Sequence, residues 1–241
     1  MAEPTITERA LAWFERSEGA ARFKAPRTFV VVGLGTFGGT VASELKRFGN
    51  AVIGIDTDRR RVSDFADVLD QALILDARDD AALKEAGVAD ADVGVVAMAT
   101  DLEASILSAV NLKLLGIETV WAKATTRTHH RILSRLGVDR VIHPEDEIGR
   151  AIAQILHNPL IRDYASMGNG YHVVNFIVPP SLEGKRLDQL EGARGHEVRP
   201  IGVMRGTDWL GGTDCDRPLA KDDRLLLLGT RANLRAFAEE L

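Results

Sequence analysis

The sequence predicts an α/β protein, in which a doubly wound, parallel, six-stranded Rossmann sheet is followed by a smaller C-terminal α+β domain. Two observations predict this fold. A β-branched apolar run at 28–33 leads into the glycine pattern Gly33-x-Gly35-x-x-Gly38, and the next apolar run ends on an acid, Asp56. Apolar runs and helix-like segments then alternate without a break to about residue 143, which is typical of parallel strands joined by helical crossovers.

Each element of this first domain follows from its residue pattern. Apolar, β-branched runs predict strands at 28–33, 51–55, 71–75, 93–98, 119–122 and 139–142. Apolar residues at helical spacing predict crossover helices at 37–48, 59–69, 79–86, 102–115 and 127–136. Such crossovers make the strands parallel and place a ligand crevice at their carboxyl ends. The candidate site residues at those ends are Asp56, Thr57, Asp58, Asp76, Ala77, Ala99, Thr100, Lys123, Ala124 and Thr125.

The glycine pattern predicts a phosphate-binding turn that acts through main-chain amides. The first glycine permits the tight turn, the second lets the backbone approach a pyrophosphate, and the third lets the new helix pack close to its strand. Helix amides then point at the anion, and the acid at position 56 accepts hydrogen bonds from a ribose. The predicted turn comprises Gly33, Gly35, Thr36, Phe37 and Gly38.

Several of these residues also have plainer explanations. Asp58 can be explained as a helix N-cap, Asp76 as a cap or turn residue, and Lys123 as a solvated lysine at a strand end. The three arginines at 59–61 are either the solvated first turn of a helix or a clamp for the 2′-phosphate of NADP. An acid at position 56 favours an unphosphorylated ribose.

Composition argues against several classes of function. A net charge of −5 and a pI near 5.7, without a clustered basic face, argue against nucleic-acid binding. The single cysteine leaves no disulfide within the chain, and no apolar run approaches the roughly 20 residues that span a bilayer. Residues 1–27 are predicted to be a helical extension, because Thr5 and Glu8 form a capping box beside an apolar stripe.

A long amphipathic segment follows the first domain. Pro144 and the acids after it predict a helix start, and apolar residues continue at helical spacing to about residue 161. Such an apolar face favours packing against a symmetry mate, so we expect a dimer. The chain therefore divides into an N-terminal extension (1–27), a nucleotide-binding domain (28–145), a dimerisation helix with linker (146–168) and a C-terminal domain (169–241) without an evident catalytic set.

Residues 28–241 resemble the RCK family, the cytosolic regulators of potassium conductance, and within it the KtrA/TrkA regulators of potassium uptake. The resemblance rests on the glycine turn at 29–39, on the segments 103–107 and 121–124, on the histidine pair at 129–130, and above all on 137–145, which reads Gly-Val-Asp-Arg-Val-Ile-His-Pro-Glu. The last string is not a general feature of dinucleotide-binding domains.

The resemblance implies a gating subunit rather than an enzyme. Homodimers would assemble into an octameric ring at the cytoplasmic face of the membrane, bound to a potassium-translocating subunit of the KtrB/TrkH kind. ATP and ADP, or NAD(H), would compete for the crevice, with Mg²⁺ or Ca²⁺ beside the phosphates and cyclic di-AMP as a ligand of the C-terminal domain in some members. Family contacts to adenosine fall on Asp56, Thr57, Asp76, Ala77, Met98, Ala99 and Thr100, those to phosphate on Lys123 and His129, and the cation-holding acid on Glu145.

One position departs from the family pattern, and two other functional classes stay open. Where close relatives have an arginine that meets the terminal phosphate of ATP, this chain has Thr36, so we expect weaker discrimination between ATP and ADP. The first alternative is an NAD-dependent dehydrogenase, but the sequence offers no obvious proton donor for one. The second is a stand-alone nucleotide or cyclic di-AMP sensor.

Overall fold

The computed structural model describes residues 26–98, 100–190, 197–211 and 216–241. Two compact units divide the chain, the first ending at His143 and the second running from Pro144 to Leu241. Two predictions lie outside the described residues. These are the helix predicted within 1–27, of which only residues 26 and 27 are described, and the candidate site residue Ala99.

The first unit is a six-stranded sheet in the order β3-β2-β1-β4-β5-β6. All of its strand pairs are parallel, which confirms the predicted doubly wound fold. Its strands are β1 (Thr28–Val32), β2 (Ala51–Asp56), β3 (Gln71–Ile74), β4 (Val93–Val96), β5 (Thr119–Lys123) and β6 (Arg140–Ile142). Its helices are α1 (Thr36–Arg47), α2 (Arg59–Phe65), α3 (Asp80–Glu85), α4 (Leu102–Leu114) and α5 (Arg127–Arg135), with a 3₁₀ turn at Val88–Asp90.

Strand β1 lies at the centre of this sheet and is buried on both faces. Val30 and Val32 join one apolar cluster while Val31 joins another, as expected of a strand covered by helices on both sides. From β1 the chain builds β2 and β3 on one side of the sheet and then returns to build β4, β5 and β6 on the other side. A switch of this kind places a ligand crevice at the carboxyl end of β1.

Two aspartates fasten the opposite, amino edge of the sheet in the same way. Asp70, just before β3, accepts hydrogen bonds from the amide of Val52, near the start of β2 (2.8 Å), and from Nζ of Lys46, near the end of α1 (2.6 Å). Asp139, just before β6, accepts from the amide of Val120 (2.7 Å) and from Lys113 (2.6 Å). Each lysine, followed by the strand amide, lowers the pKa of its aspartate.

The second unit is a five-stranded antiparallel sheet in the order β10-β9-β11-β8-β7, with a helix on either side of it in sequence. The elements are α6 (Pro144–His157), β7 (Ile161–Gly168), β8 (Tyr171–Ile177), β9 (Arg199–Arg205), β10 (Asp208–Gly211), β11 (Arg224–Thr230) and α7 (Arg231–Glu239), with a 3₁₀ turn at Pro180–Leu182. Alternate residues of β8 and β11, among them Val174, Phe176 and Leu225, form its core with Phe237 of α7.

One boundary of the sequence analysis needs correction. The linker predicted within 146–168 is instead strand β7 from Ile161 onward, joined to β8 by a tight turn in which Asn169 and Gly170 have φ of 50° and 80°. Among the strands of the described ranges, β7 pairs only with β8, at the edge of the sheet, and of its eight residues only Ile161 is buried. An edge strand of this kind lacks the apolar alternation from which strands are read.

Helix α6 carries an apolar stripe that its own unit leaves exposed. Ile148, Ile152 and Leu156, spaced four residues apart, are 59%, 49% and 79% exposed. Ile155, by contrast, packs against the core of the second unit. Among the helices within the described residues, none is long and apolar enough to cross a membrane.

Candidate nucleotide-binding site

The glycine turn after β1 has the geometry of a phosphate-binding loop. Gly33 has a φ of 94°, in the left-handed region, and its amide donates to the carbonyl oxygen of Ile55 at 2.7 Å. A Cβ on Gly38 would lie 1.8 Å from the carbonyl oxygen of Gly33, so only glycine lets α1 start this close to β1. Gly35 is different, because a Cβ there would meet a single atom within 4 Å, on the flexible side chain of Arg61. The backbone is therefore open to a ligand at Gly35.

The N-terminus of α1 begins directly at this opening. Gly35 is its N-cap and, as a glycine, makes no side-chain capping hydrogen bond. The first amides of a helix have no partner within the helix and attract anions. Thr36 and Phe37 lie in this first turn, with Gly38 after them, so the predicted phosphate-binding residues lie together in the structure.

Asp56, the last residue of β2, is fixed in place beside the glycine turn. Its residue exposure is only 6%, its Oδ2 accepts from the amide of Leu34 at 2.8 Å, and its Oδ1 accepts from the amide of Asp58 at 2.9 Å. Arg61 adds a longer contact, with Nη1 3.3 Å from Oδ2. These bonds orient the carboxylate, while Thr57 is exposed at the rim and Asp58 caps α2 through the amide of Arg60.

The loop after β3 forms the next part of the rim. Asp76 pairs with Arg78 at 2.6 Å, and this hydrogen bond lowers the pKa of the Asp76 carboxyl. Ala77 is 2% exposed, so its side chain belongs to the core and only its backbone faces the rim. Asn111 of α4 holds the loop from below, because its Nδ2 donates to the carbonyl oxygens of Ala77 (3.0 Å) and Arg78 (2.9 Å).

Sequence reasoning missed Asn111. The signal was present, since α4 places Ser105, Ser108 and Asn111 at intervals of three residues on one face, and all three are buried. Buried polar side chains in an otherwise apolar helix require partners. Asn111 finds its partners in the rim loop, and Ser105 finds one in His129.

At the end of β4, the backbone comes close to the glycine turn. A Cβ on Gly33 would lie 3.1 Å from the amide nitrogen of Met98, so Met98 is in contact with the turn. The side chain of Met98 packs on the core and approaches the hydroxyl of Ser108, with an Oγ–Sδ distance of 3.9 Å. Thr100 is exposed beyond it.

The end of β5 contributes a cation to the site. Lys123 Nζ lies 5.5 Å from the centroid of the Phe37 ring, which brings a positive charge to the first turn of α1. Ala124 is 1% exposed and serves the core, whereas Thr125 is exposed. The adjacent Thr126 caps α5 by accepting from the amide of His129 at 3.1 Å.

His129 does not face the crevice surface in this conformation. His129 is 1% exposed, with Nε2 3.1 Å from the hydroxyl of Ser105, and Nδ1 finds no hydrogen-bond partner in the part of the chain that the structure describes. Burial, and secondarily the charge on His143, lower the pKa of His129. Its neighbour His130 points the other way and hydrogen-bonds His143, with a distance of 2.9 Å from Nδ1 to Nε2.

Glu145 belongs to the second unit, in the first turn of α6. Within the described ranges, no three or more histidine, cysteine, aspartate or glutamate side chains group closely enough to hold a metal ion.

Comparison with known proteins agrees with this arrangement. Residues 29–144 match the TrkA-N domain family. The chain is 28% identical over 214 residues to the Ktr system potassium uptake protein A of Bacillus subtilis, which covers 89% of this chain and 96% of that protein. It is 30% identical over 178 residues to an uncharacterized protein of Mycoplasma genitalium, covering 73% of this chain and 78% of that one.

Among solved structures, the GsuK channel is similar with a TM-score of 0.62 and 15% sequence identity. The similarity covers 96% of this chain but only 43% of the channel chain, so this chain spans less than half of that protein. At this identity the likeness supports the fold alone. The sequence matches place the chain in the TrkA-N domain family, and the chain is similar over most of its length to a Ktr potassium uptake protein.

Proposed function

We propose that this chain is the nucleotide-sensing regulatory subunit of a potassium transporter or channel. The similarity to a Ktr potassium uptake protein over 96% of that protein's length supports the transport role. The observation that carries the sensing role is the open backbone at Gly35 beside the oriented carboxylate of Asp56. A backbone left open because glycine has no side chain, together with a carboxylate positioned to accept from a ribose, fits an adenine nucleotide.

The described residues suggest how such a nucleotide is held. The amides at the start of α1 would bind its phosphates, and Asp56 would accept hydrogen bonds from a ribose. Lys123 would contribute a full charge at the phosphates. The candidate ligands are ATP, ADP and NAD(H), and Thr36 supplies no charge with which to favour ATP over ADP.

The site favours binding over catalysis. A dehydrogenase needs a proton donor or base that faces the nicotinamide. His129 is a poor candidate, because it is buried, bonded to Ser105 and depressed in pKa. We therefore propose that occupancy of the crevice changes the balance between conformations and that no bond of the nucleotide is broken.

The proposed assembly uses the exposed stripe on α6. Ile148, Ile152 and Leu156 would pack against a second copy of this chain, and dimers would build an octameric ring beneath the membrane-embedded subunit on the cytoplasmic side. Glu145, near the start of α6, would help hold Mg²⁺ or Ca²⁺ at the nucleotide phosphates in that assembly. Cyclic di-AMP is the candidate ligand of the second unit.

Calorimetric titration of the purified chain with ATP, ADP, NAD and NADH tests the sensing role. We expect binding with similar affinities for ATP and ADP, and a change of assembly or shape between ligands in native mass spectrometry and small-angle scattering. Co-expression with a potassium-translocating membrane subunit in a bacterium deficient in potassium uptake tests the transport role. Absence of binding to all four compounds, or consumption of NADH in the presence of a candidate substrate, would contradict the proposal.

A further inference from the structure

Arg61 occupies a position that its role as a surface residue of α2 does not explain. Its Nη1 lies 3.3 Å from Oδ2 of Asp56 and 3.9 Å from the point where a Cβ on Gly35 would lie. The guanidinium therefore lies between the acid at the end of β2 and the open backbone of the glycine turn. These two features define the ribose and phosphate sides of the crevice.

The glycine turn itself provides no side-chain cation. From residue 33 to residue 45 the sequence contains neither lysine nor arginine, so α1 offers only the partial charges of its first amides. Lys123 approaches from the β5 side, above the ring of Phe37. Arg61 approaches from the opposite side, beyond β2, and the start of α1 lies between the two cations.

A purely structural ion pair is the simpler explanation for Arg61, and the geometry argues against it. Asp56 is already satisfied by two backbone amides at 2.8 and 2.9 Å. Arg61 reaches the same carboxylate at 3.3 Å and Asp58 at 3.8 Å, and its side chain is 53% exposed. The pair with Asp58 is long and exposed on both sides, so it adds little to stability, and the pair with the buried Asp56 consists of one long contact. An arginine has five N–H donors in a fork that matches phosphate oxygens, which these two contacts leave largely unused.

We propose that Arg61 binds a phosphate group of the adenine nucleotide, exchanging its pair with Asp56 for this phosphate when the ribose engages the acid. The proposal rests on nucleotide binding in the crevice. The phosphate comes either from the 5′ chain, which passes Gly35, or from a 2′-phosphate on the ribose held by Asp56. Both would present anionic phosphate oxygens to the same guanidinium.

The test compares Arg61→Gln with Arg60→Gln as the matched control. Arg60 carries the same charge on the same turn of α2 but is rotated by about 100° around the helix. Each purified full-length protein is titrated calorimetrically with adenosine, 5′-AMP, ADP and 2′-AMP, after thermal unfolding shows that Arg61→Gln and Arg60→Gln melt like the wild type. Arg61→Lys is a second variant at position 61, which keeps the positive charge but lacks the forked guanidinium.

We expect Arg61→Gln to weaken binding of a phosphorylated ligand by about ten- to a hundredfold and to leave adenosine within about twofold. Loss for 5′-AMP and ADP assigns Arg61 to the 5′ chain, and selective loss for 2′-AMP assigns it to the ribose phosphate. The proposal would be overturned, with nucleotide binding intact, if Arg61→Gln and Arg60→Gln bound the phosphorylated ligands with equal affinity. It would also be overturned if Arg61→Gln lost affinity for adenosine as much as for its phosphates. Failure of the wild type to bind any of the four compounds overturns the nucleotide-sensing function itself, and this inference with it.

Discussion

Adding one methyl group at either of two glycines in the first unit should separate folding from ligand binding. Gly38 and Gly35 lie three residues apart in the same turn, but their surroundings are opposite. A Cβ on Gly38 would lie 1.8 Å from the Gly33 carbonyl oxygen and 2.8 Å from the Cβ of Ala97, well inside the 3.0 Å that real Cβ contacts respect. A Cβ on Gly35 would lie 3.9 Å from its nearest neighbour.

The clash in Gly38→Ala has no inexpensive relief. The oxygen it meets belongs to the backbone, and the amide of the same residue, Gly33, is held to the carbonyl oxygen of Ile55 at 2.7 Å. Overpacking against side chains costs about 1–3 kcal/mol, and we expect about 3 kcal/mol or more where the neighbour is backbone. For a unit of this size, that loss lowers the melting temperature by roughly 10 °C.

Gly35→Ala should leave the fold intact. Gly35 has a φ of −67°, which alanine adopts without strain, but alanine is a poorer N-cap than glycine, so we expect the free energy of unfolding to fall by about 1 kcal/mol or less. The new methyl group would occupy the surface that a pyrophosphate approaches, and ADP affinity should fall at least about tenfold.

Differential scanning calorimetry and calorimetric titration with ADP measure the two effects. The reasoning is refuted if Gly38→Ala melts with the wild type, because the close packing of α1 on β1 would then be unnecessary. It is also refuted if Gly35→Ala binds ADP as the wild type does, because the open backbone would then not be where the phosphates lie.

Three further outcomes follow from other parts of the structure. Asn111→Ala removes the hydrogen bonds to one buried and one partly buried carbonyl oxygen in the loop after β3, so the free energy of unfolding should fall by about 1–3 kcal/mol in urea titration, with increased hydrogen exchange at residues 76–78. The double variant Asp70→Asn, Asp139→Asn should be less stable than the wild type at pH 7. Since the pKa of both aspartates is lowered in the folded protein, their stabilisation is complete above the unfolded value of about 4 and is lost below it, so the difference between the two proteins should shrink in urea titrations at lower pH. Ile152→Glu places a charge in the exposed stripe of α6 and should weaken self-association in analytical ultracentrifugation without lowering the melting temperature; an unchanged mass would argue against the proposed dimer surface.

The sequence predicted the first unit well because its strands are buried on both faces. Four consecutive buried residues in β4, for example, give a continuous apolar run that local patterns reveal. In the second unit, β7 and β10 are edge strands with few buried residues, and their positions depend on pairing partners distant from any local pattern. For this reason the prediction of a linker where β7 lies was wrong.

The site was predictable in its main-chain part and less so in its side chains. The glycine spacing and the terminal acid of β2 follow from the backbone that a phosphate turn requires. Which way His129 points, and that Arg61 reaches back toward Gly35, depend on the rotation of α5 and α2 about their axes. A single sequence does not predict that rotation, because charged and polar side chains can lie on either face of a helix until its packing is known.

The two edges of the first sheet hold their cations at different distances, and this difference bears on sensing. At the amino edge, Lys46 and Lys113 reach their aspartates at 2.6 Å and tie helices to strands. At the carboxyl edge, Arg61 lies 3.3 Å from a carboxylate of Asp56 that two backbone amides already hold. A ligand shifts an equilibrium only through contacts that differ between states. Because the proposed phosphate would replace the contact of Arg61 with Asp56, ligands that differ in the number or position of phosphates should be distinguished in the loop after β2, while the opposite edge keeps the sheet intact.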